Sequence, residues 1–114
     1  MRFADTSFWY ALQDRRDRHH EEARAIVDQG VGRVVLSSHV LGETWTLMRR
    51  RAGHSAAVGF LDRLDALTGI EVVTVDEGIE SDAWRWLRRH DEREYSFTDA
   101  TSFALMKRRR IREA

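Results

Sequence analysis

The chain has 114 residues, 42% hydrophobic and 33% charged, with 19 Lys and Arg against 19 Asp and Glu, and neither cysteine nor proline. That length supports one modest core and no second domain, and the balanced charge excludes a global pull toward nucleic acid or membrane. Without cysteine there is no disulfide framework and no thiolate metal site.

The opening "MRFADTSFWYAL" has one basic residue and no long apolar run, so it reads as neither signal peptide nor membrane span; a cytoplasmic protein without membrane contact is expected. Residues 1 to 4 predict a short buried strand, and "SFWYAL" starts a short helix. Between Asp17 and Gln29, Ala23, Ile26 and Val27 recur at helical spacing, and Gly30 supplies a stop. The β-branched run "RVVLSS", residues 33 to 38, predicts a second strand, after which Ser37 or Ser38 can cap a helix. That helix, about 39 to 52, carries Val40, Leu41, Thr44, Leu47 and Met48 on one side and ends near Gly53. Residues 55 to 68 repeat the pattern with Phe60, Leu61, Leu64 and Leu67. "IEVVTVD", residues 70 to 76, is the clearest strand, and Ile79, Ala83, Trp86 and Leu87 mark the helix behind it. The charged stretch "RHDERE" predicts a solvated turn before a last helix from about Thr98 to Arg110. Strands alternating with helices predict a single α/β domain over residues 1 to 114, with a central, mostly parallel sheet flanked by helices.

In such a sheet, ligands lie outside the carboxyl ends of the strands. Asp5 directly follows the first strand, where it can serve a ligand or, as Asp, Thr and Ser commonly do, cap a helix. Glu43 lies three residues after Val40 and four before Leu47, which predicts a partly desolvated place at the edge of the apolar stripe. Asp99, in the first turn of the last helix, shares a side with Phe103 and Met106 and is expected to follow the core-facing stripe; its ordinary use would be to face the positive helix end. Carboxylates brought within a few ångströms repel unless a cation neutralises them. A hard divalent ion, Mg²⁺ or Mn²⁺, takes such oxygen ligands, acidifies a bound water and stabilises charge on a phosphodiester oxygen. The implied chemistry is metal-dependent phosphodiester hydrolysis, with Asp5, Glu43 and Asp99 as metal-binding and catalytic carboxylates.

The stretches "FADTSFWYAL", "VLGETWTL" and "YSFTDATSFALM" resemble the three successive acidic motifs of PIN-domain ribonucleases, specifically the VapC-type toxins of toxin–antitoxin pairs. The similarity runs over essentially the whole chain. It implies a three-layer α/β fold, a Mg²⁺ or Mn²⁺ site, cleavage of structured RNA such as transfer RNA, inhibition by a cognate antitoxin, and a homodimer. By carry-over Asp5, Glu43 and Asp99 match the acidic ligands, while Ser7 and Thr98 fall where the family often places a supporting hydroxyl. Family members usually continue into a further strand ending in a fourth acid; no residue here fills that place, so the C-terminal strands are expected to be missing, which leaves activity of the chain an open question beside an alternative, catalytically impaired interaction module.

The arginine-rich runs "RRR" at 49 to 51 and "MKRRRIR" at 106 to 112 offer Arg49, Arg50, Lys107, Arg108 and Arg110 to RNA phosphates if they flank the acidic crevice, or otherwise complement helix dipoles. His19 and His20 sit side by side, so only one can face inward, and no second ligand follows at helical spacing; zinc is disfavoured. No serine pairs with a histidine as a hydrolase triad would need. Two rival functions remain: an interaction module that binds an antitoxin or its own copy without cutting, and a phosphatase with Asp5 as nucleophile, for which "DTS" lacks the usual nearby second acid. Trp84 and Trp86, two apart, cannot share one helix face, so one of them is expected to pack beyond its own core.

Overall fold

The computed structural model describes residues 2–13, 16–28 and 33–110; the side chain of Ser7 lies outside the described set. The elements run β1 (Arg2–Phe3), α1 (Thr6–Gln13), α2 (His20–Asp28), β2 (Val34–Ser37), α3 (Ser38–Ala52), α4 (His54–Ala66), β3 (Ile70–Val73), α5 (Glu77–Arg89) and α6 (Phe97–Arg109). The three strands form one parallel sheet in the order β1-β2-β3. Arg2 pairs with Val34 and Phe3 with Val35, while Val34 to Ser37 pair with Ile70 to Val73. The central strand is buried at Val35, Leu36 and Ser37, as a parallel strand covered on both faces must be, and this accounts for its unbroken apolar run.

Each boundary has a local cause. The Ser37 hydroxyl accepts from the Val40 N–H at 3.1 Å and starts α3, which is why the strand stops there. Gly53, at φ 94°, is the only residue between α3 and α4 and turns the chain in a region that favours glycine. Strand β3 ends at Val73, earlier than its apolar run suggests, and Asp76 caps α5 by accepting from the Ile79 N–H at 2.9 Å. The stretch between α5 and α6 is irregular and mostly exposed, with His90 Nδ1 and Glu92 Oε1 2.8 Å apart.

Phe3, Trp9, Leu36, Phe60 and Leu105 form the centre of the core. Trp9 is 1% exposed; its indole N–H donates to the Ala4 carbonyl at 3.3 Å, and its ring meets Phe60 edge-on at 6.3 Å. The buried side of α6 is made of small residues, Ala100, Thr101, Ser102 and Ala104, with Leu105. Thr101 can be buried because its hydroxyl donates to the Thr98 carbonyl at 2.8 Å. The stripe expected to face the core divides: Asp99 and Phe103 are exposed, while Met106 is half-buried and packs against the core. Small side chains let α6 approach its neighbours closely, and this wins over the larger apolar positions.

The end of α6 is tied to β3 by Arg109, which donates to both Glu71 carboxylate oxygens at 2.7 and 3.2 Å; Arg33 lies 3.7 Å from the same group. The hydrogen bond from Arg109 holds the Glu71 carboxyl below its ordinary value, with the charges of Arg109 and Arg33 adding to it and desolvation opposing.

Trp9→Ala should lower unfolding free energy by about 3–5 kcal/mol in a denaturant titration, since it empties the middle of the core. The pKa of Glu71 is depressed in the fold, so the stabilisation it brings is present above the ordinary value of 4.5 and fades as pH falls through the lowered one. Arg109→Gln should therefore move the acid-unfolding midpoint to higher pH by circular dichroism; an unmoved midpoint would show that the pair adds nothing.

Candidate functional site

The first two acidic motifs follow the carboxyl ends of β1 and β2, and the third, at the start of α6, is joined to them through the His39–Phe97 contact. Backbone pairing continues one residue past β1, where the Ala4 N–H donates to the Val35 carbonyl at 2.9 Å. Asp5 follows, exposed, and its Oδ1 accepts from the Phe8 N–H at 3.1 Å, so it caps α1. The next residue, Thr6, donates its hydroxyl to Glu43 Oε1 at 3.0 Å and so ties the first turn of α1 to α3 across 37 residues. Glu43 is exposed, not partly desolvated as its spacing suggested, because α3 buries Val40, Thr44 and Met48 and turns Glu43 outward.

One turn before Glu43, the His39 ring meets Phe97 at 5.5 Å and 64°, which sets the start of α6 beside the start of α3. Ser96 and Asp99 form a reciprocal cap there: Asp99 Oδ2 accepts from the Ser96 N–H, and the Ser96 hydroxyl accepts from the Asp99 N–H, each at 3.0 Å. The Ser38 hydroxyl accepts from the Val75 N–H at 3.0 Å and joins the start of α5 to the same edge. A continuous path of contacts thus runs from Asp5 and Thr6 through Glu43 and His39 to Phe97 and Asp99.

This path places the three acids along one edge without closing them around a point. Among the described residues, no three His, Asp or Glu side chains are grouped so that they could hold a metal ion together. The acids have partners of another kind: backbone N–H groups for Asp5 and Asp99 and a hydroxyl for Glu43. Carboxylate oxygens are suitable donors for a hard cation; here Asp5 and Asp99 act as helix caps, while Glu43 accepts from Thr6.

The supporting hydroxyls divide. Ser7 lies in the first turn of α1 with its side chain outside the described set, and Thr98 is half-buried, with its carbonyl accepting from Thr101. Thr6 and Ser96 were missed; the S-x-x-D pattern of "SFTD" signals the second, whereas nothing local to "DTS" shows that its threonine reaches a residue in α3.

The basic runs occupy helix ends. Arg49 and Arg50 are exposed in the last turn of α3, about 9 Å along the axis from Glu43, and Lys107 stands about 12 Å beyond Asp99 on α6. Arg108 is engaged with Asp82 at 2.8 Å, and Arg110 is the exposed left-handed C-cap of α6. Arg49, Arg50 and Lys107 thus stand more than one turn from Glu43 and Asp99 along their own helices. His20 is half-buried with Nδ1 2.8 Å from the Ala11 carbonyl, while His19 is exposed, so only one of the pair faces inward.

A family model described as PIN domain matches residues 2–113. The chain is 51% identical over 115 residues to "23S rRNA-specific endonuclease VapC20" of Mycobacterium tuberculosis, covering all of this chain and 86% of the relative. It is 29% identical over 103 residues to "VapC ribonuclease" of Archaeoglobus fulgidus, covering 86% of this chain and 65% of that protein. The fold superposes on a crystal structure of Mycobacterium tuberculosis VapC20, described as a sarcin-ricin-loop-cleaving toxin, with a TM-score of 0.90 and 49% identity over 97% of this chain and 85% of that one.

Thr6→Val should cost about 0.5–1 kcal/mol, and with it in place Glu43→Gln should cost almost nothing more. Fully additive losses in chemical denaturation would show that the two side chains do not act together.

Proposed function

This chain belongs to the PIN-domain family, and from that premise we propose that it is an endoribonuclease toxin of the VapC type, cutting RNA phosphodiester bonds with Asp5, Glu43 and Asp99 as its site carboxylates. The observation that carries the reading is the 51% identity spanning the whole chain to a relative named as a ribosomal-RNA endonuclease. That name favours a structured ribosomal RNA over transfer RNA as the substrate. A cognate antitoxin, a homodimeric state and a cytoplasmic location belong to the same proposal. No helix among the described residues is long and apolar enough to cross a membrane.

The chain's own residues supply fixed charge at the edge. Backbone caps orient Asp5 and Asp99 through one oxygen each, and Thr6 orients Glu43, so each carboxylate keeps an oxygen outside those bonds. The first turns of α1 and α6 are each linked to α3, by the Thr6–Glu43 bond and the His39–Phe97 ring contact, and positive helix ends offset repulsion between acids and an approaching phosphodiester. Mg²⁺ or Mn²⁺, if bound by these carboxylates, would supply charge neutralisation and an acidified water.

The use of Asp5 and Asp99 as helix caps also suits a second reading, an interaction module that binds an antitoxin or its own copy without cutting. Asp5→Asn separates the two. Asparagine caps a helix about as well as aspartate, so the fold should persist while one negative charge disappears. Under the nuclease reading, cleavage of ribosomal RNA in Mg²⁺ or Mn²⁺ is lost, and so is the carboxylate-dependent heat of Mn²⁺ binding in calorimetry. A parent chain with no cleavage and no such heat supports the binding module; an Asp5→Asn variant that cuts at the parental rate removes Asp5 from the site.

A further inference from the structure

We propose that the groove between α5 and α6 is a nucleotide-binding subsite, in which an unpaired RNA base stacks on Phe103 beside Trp86 while neighbouring phosphates meet Arg89 and Lys107. The proposal rests on the ribonuclease reading and names where the strand flanking the cut would lie.

The groove encloses about 630 Å³ and combines aromatic faces with cations. Its floor is built around Trp86, which stacks on His90 at 4.1 Å and 19°, takes Tyr95 edge-on at 4.6 Å, and meets Phe103 at 5.0 Å. These contacts brace the ring against its neighbours, while Phe103 remains 40% exposed, an unusual state for a large apolar ring on a helix that otherwise buries its small residues. A braced aromatic surface open to water is what base stacking requires, and every base offers a face to it.

The charges point the same way. Arg85, Arg89, Lys107 and Arg108 line the groove with a single acid, Asp82. Asp82 is already held by Arg108 at 2.8 Å and Arg85 at 3.3 Å. Among the described residues, Arg89 and Lys107 form no ion pair within 4.0 Å, which leaves them available to phosphates. A second copy of this face would bring the same cations against each other, so a symmetric contact between copies is disfavoured.

Position links the groove to the acidic edge. Asp99, Phe103 and Lys107 recur every four residues along one face of α6. Lys107 is about 12 Å along the axis from Asp99, the span of a few nucleotides. A strand lying against the acids and following this face of α6 enters the groove.

The test is fluorescence anisotropy of a short labelled single-stranded RNA titrated with the full chain in EDTA, so that binding is read without cleavage. Phe103→Ala, checked for folding by circular dichroism, should weaken binding about tenfold. Arg89→Ala and Lys107→Ala, both at exposed positions, should each reduce the slope of log affinity against log salt by about one. The subsite is overturned if the parent does not bind the RNA, or if Phe103→Ala and Arg89→Ala bind as the parent does. It is equally overturned if Phe103→Ala changes the oligomeric mass in sedimentation and leaves RNA affinity intact. A chain that binds through this groove but never cuts in Mg²⁺ or Mn²⁺ refutes the nuclease reading and leaves the subsite standing. A chain that cuts, with groove variants that bind normally, does the reverse.

Discussion

The structure depends on the need of helices that start at one edge of a parallel sheet to find acceptors for their first N–H groups. Asp5 serves α1, Ser37 serves α3, Asp76 serves α5, and Ser96 with Asp99 serves α6. Two of the three motif acids are therefore placed by the requirements of folding. Helix N-termini lower the cost of negative charge, so one edge can gather acids without scattering them and still admit a phosphate. Glu43 is the exception: it caps nothing and is held from a distance by Thr6. Folding and the proposed chemistry thus draw on the same side chains at Asp5 and Asp99.

Most of the architecture could be read in the sequence because the signals are local. Every predicted strand and helix is found, and the cap at Ser37 and the stop at Gly53 fall where serine and glycine indicated. The end of β3 was misjudged because a β-branched run continues past the point where Asp76 takes over as a cap. The facing of α6 was misjudged because period alone ranks residues by apolarity, whereas close packing selected Ala100, Thr101 and Ala104. At the candidate site, the three acids stand out in the sequence as motif residues. Their partners do not, since the bond from Thr6 to Glu43 and the ring contact of His39 with Phe97 join residues far apart in the chain.

The tryptophans of α5 illustrate the same limit. Two residues apart, they do point to different places, yet both reach aromatic rings near or on α6. Trp84 stacks on Phe97 at 4.3 Å and stays 50% exposed, while Trp86 enters the groove with Phe103. This follows from the packing of α6 across α5, where its first residue and its middle turn meet different positions of the same neighbour. The acidic edge and the aromatic groove are consequently two regions served by one helix, with Asp99 and Phe103 a single turn apart.

The register of the sheet carries a kinetic consequence. Arg2 meets Val34 and Val34 meets Ile70, so each strand pair must close a long loop before any ladder bond rewards it. The helical hairpins need no such closure, since α3 is joined to α4 through Gly53 alone and α5 to α6 through a short exposed stretch. Loop-closure entropy therefore favours early formation of the helix pairs and late formation of the sheet. The segments that carry Asp5, Glu43 and Asp99 are therefore brought together only with the sheet, by the contacts of longest sequence separation.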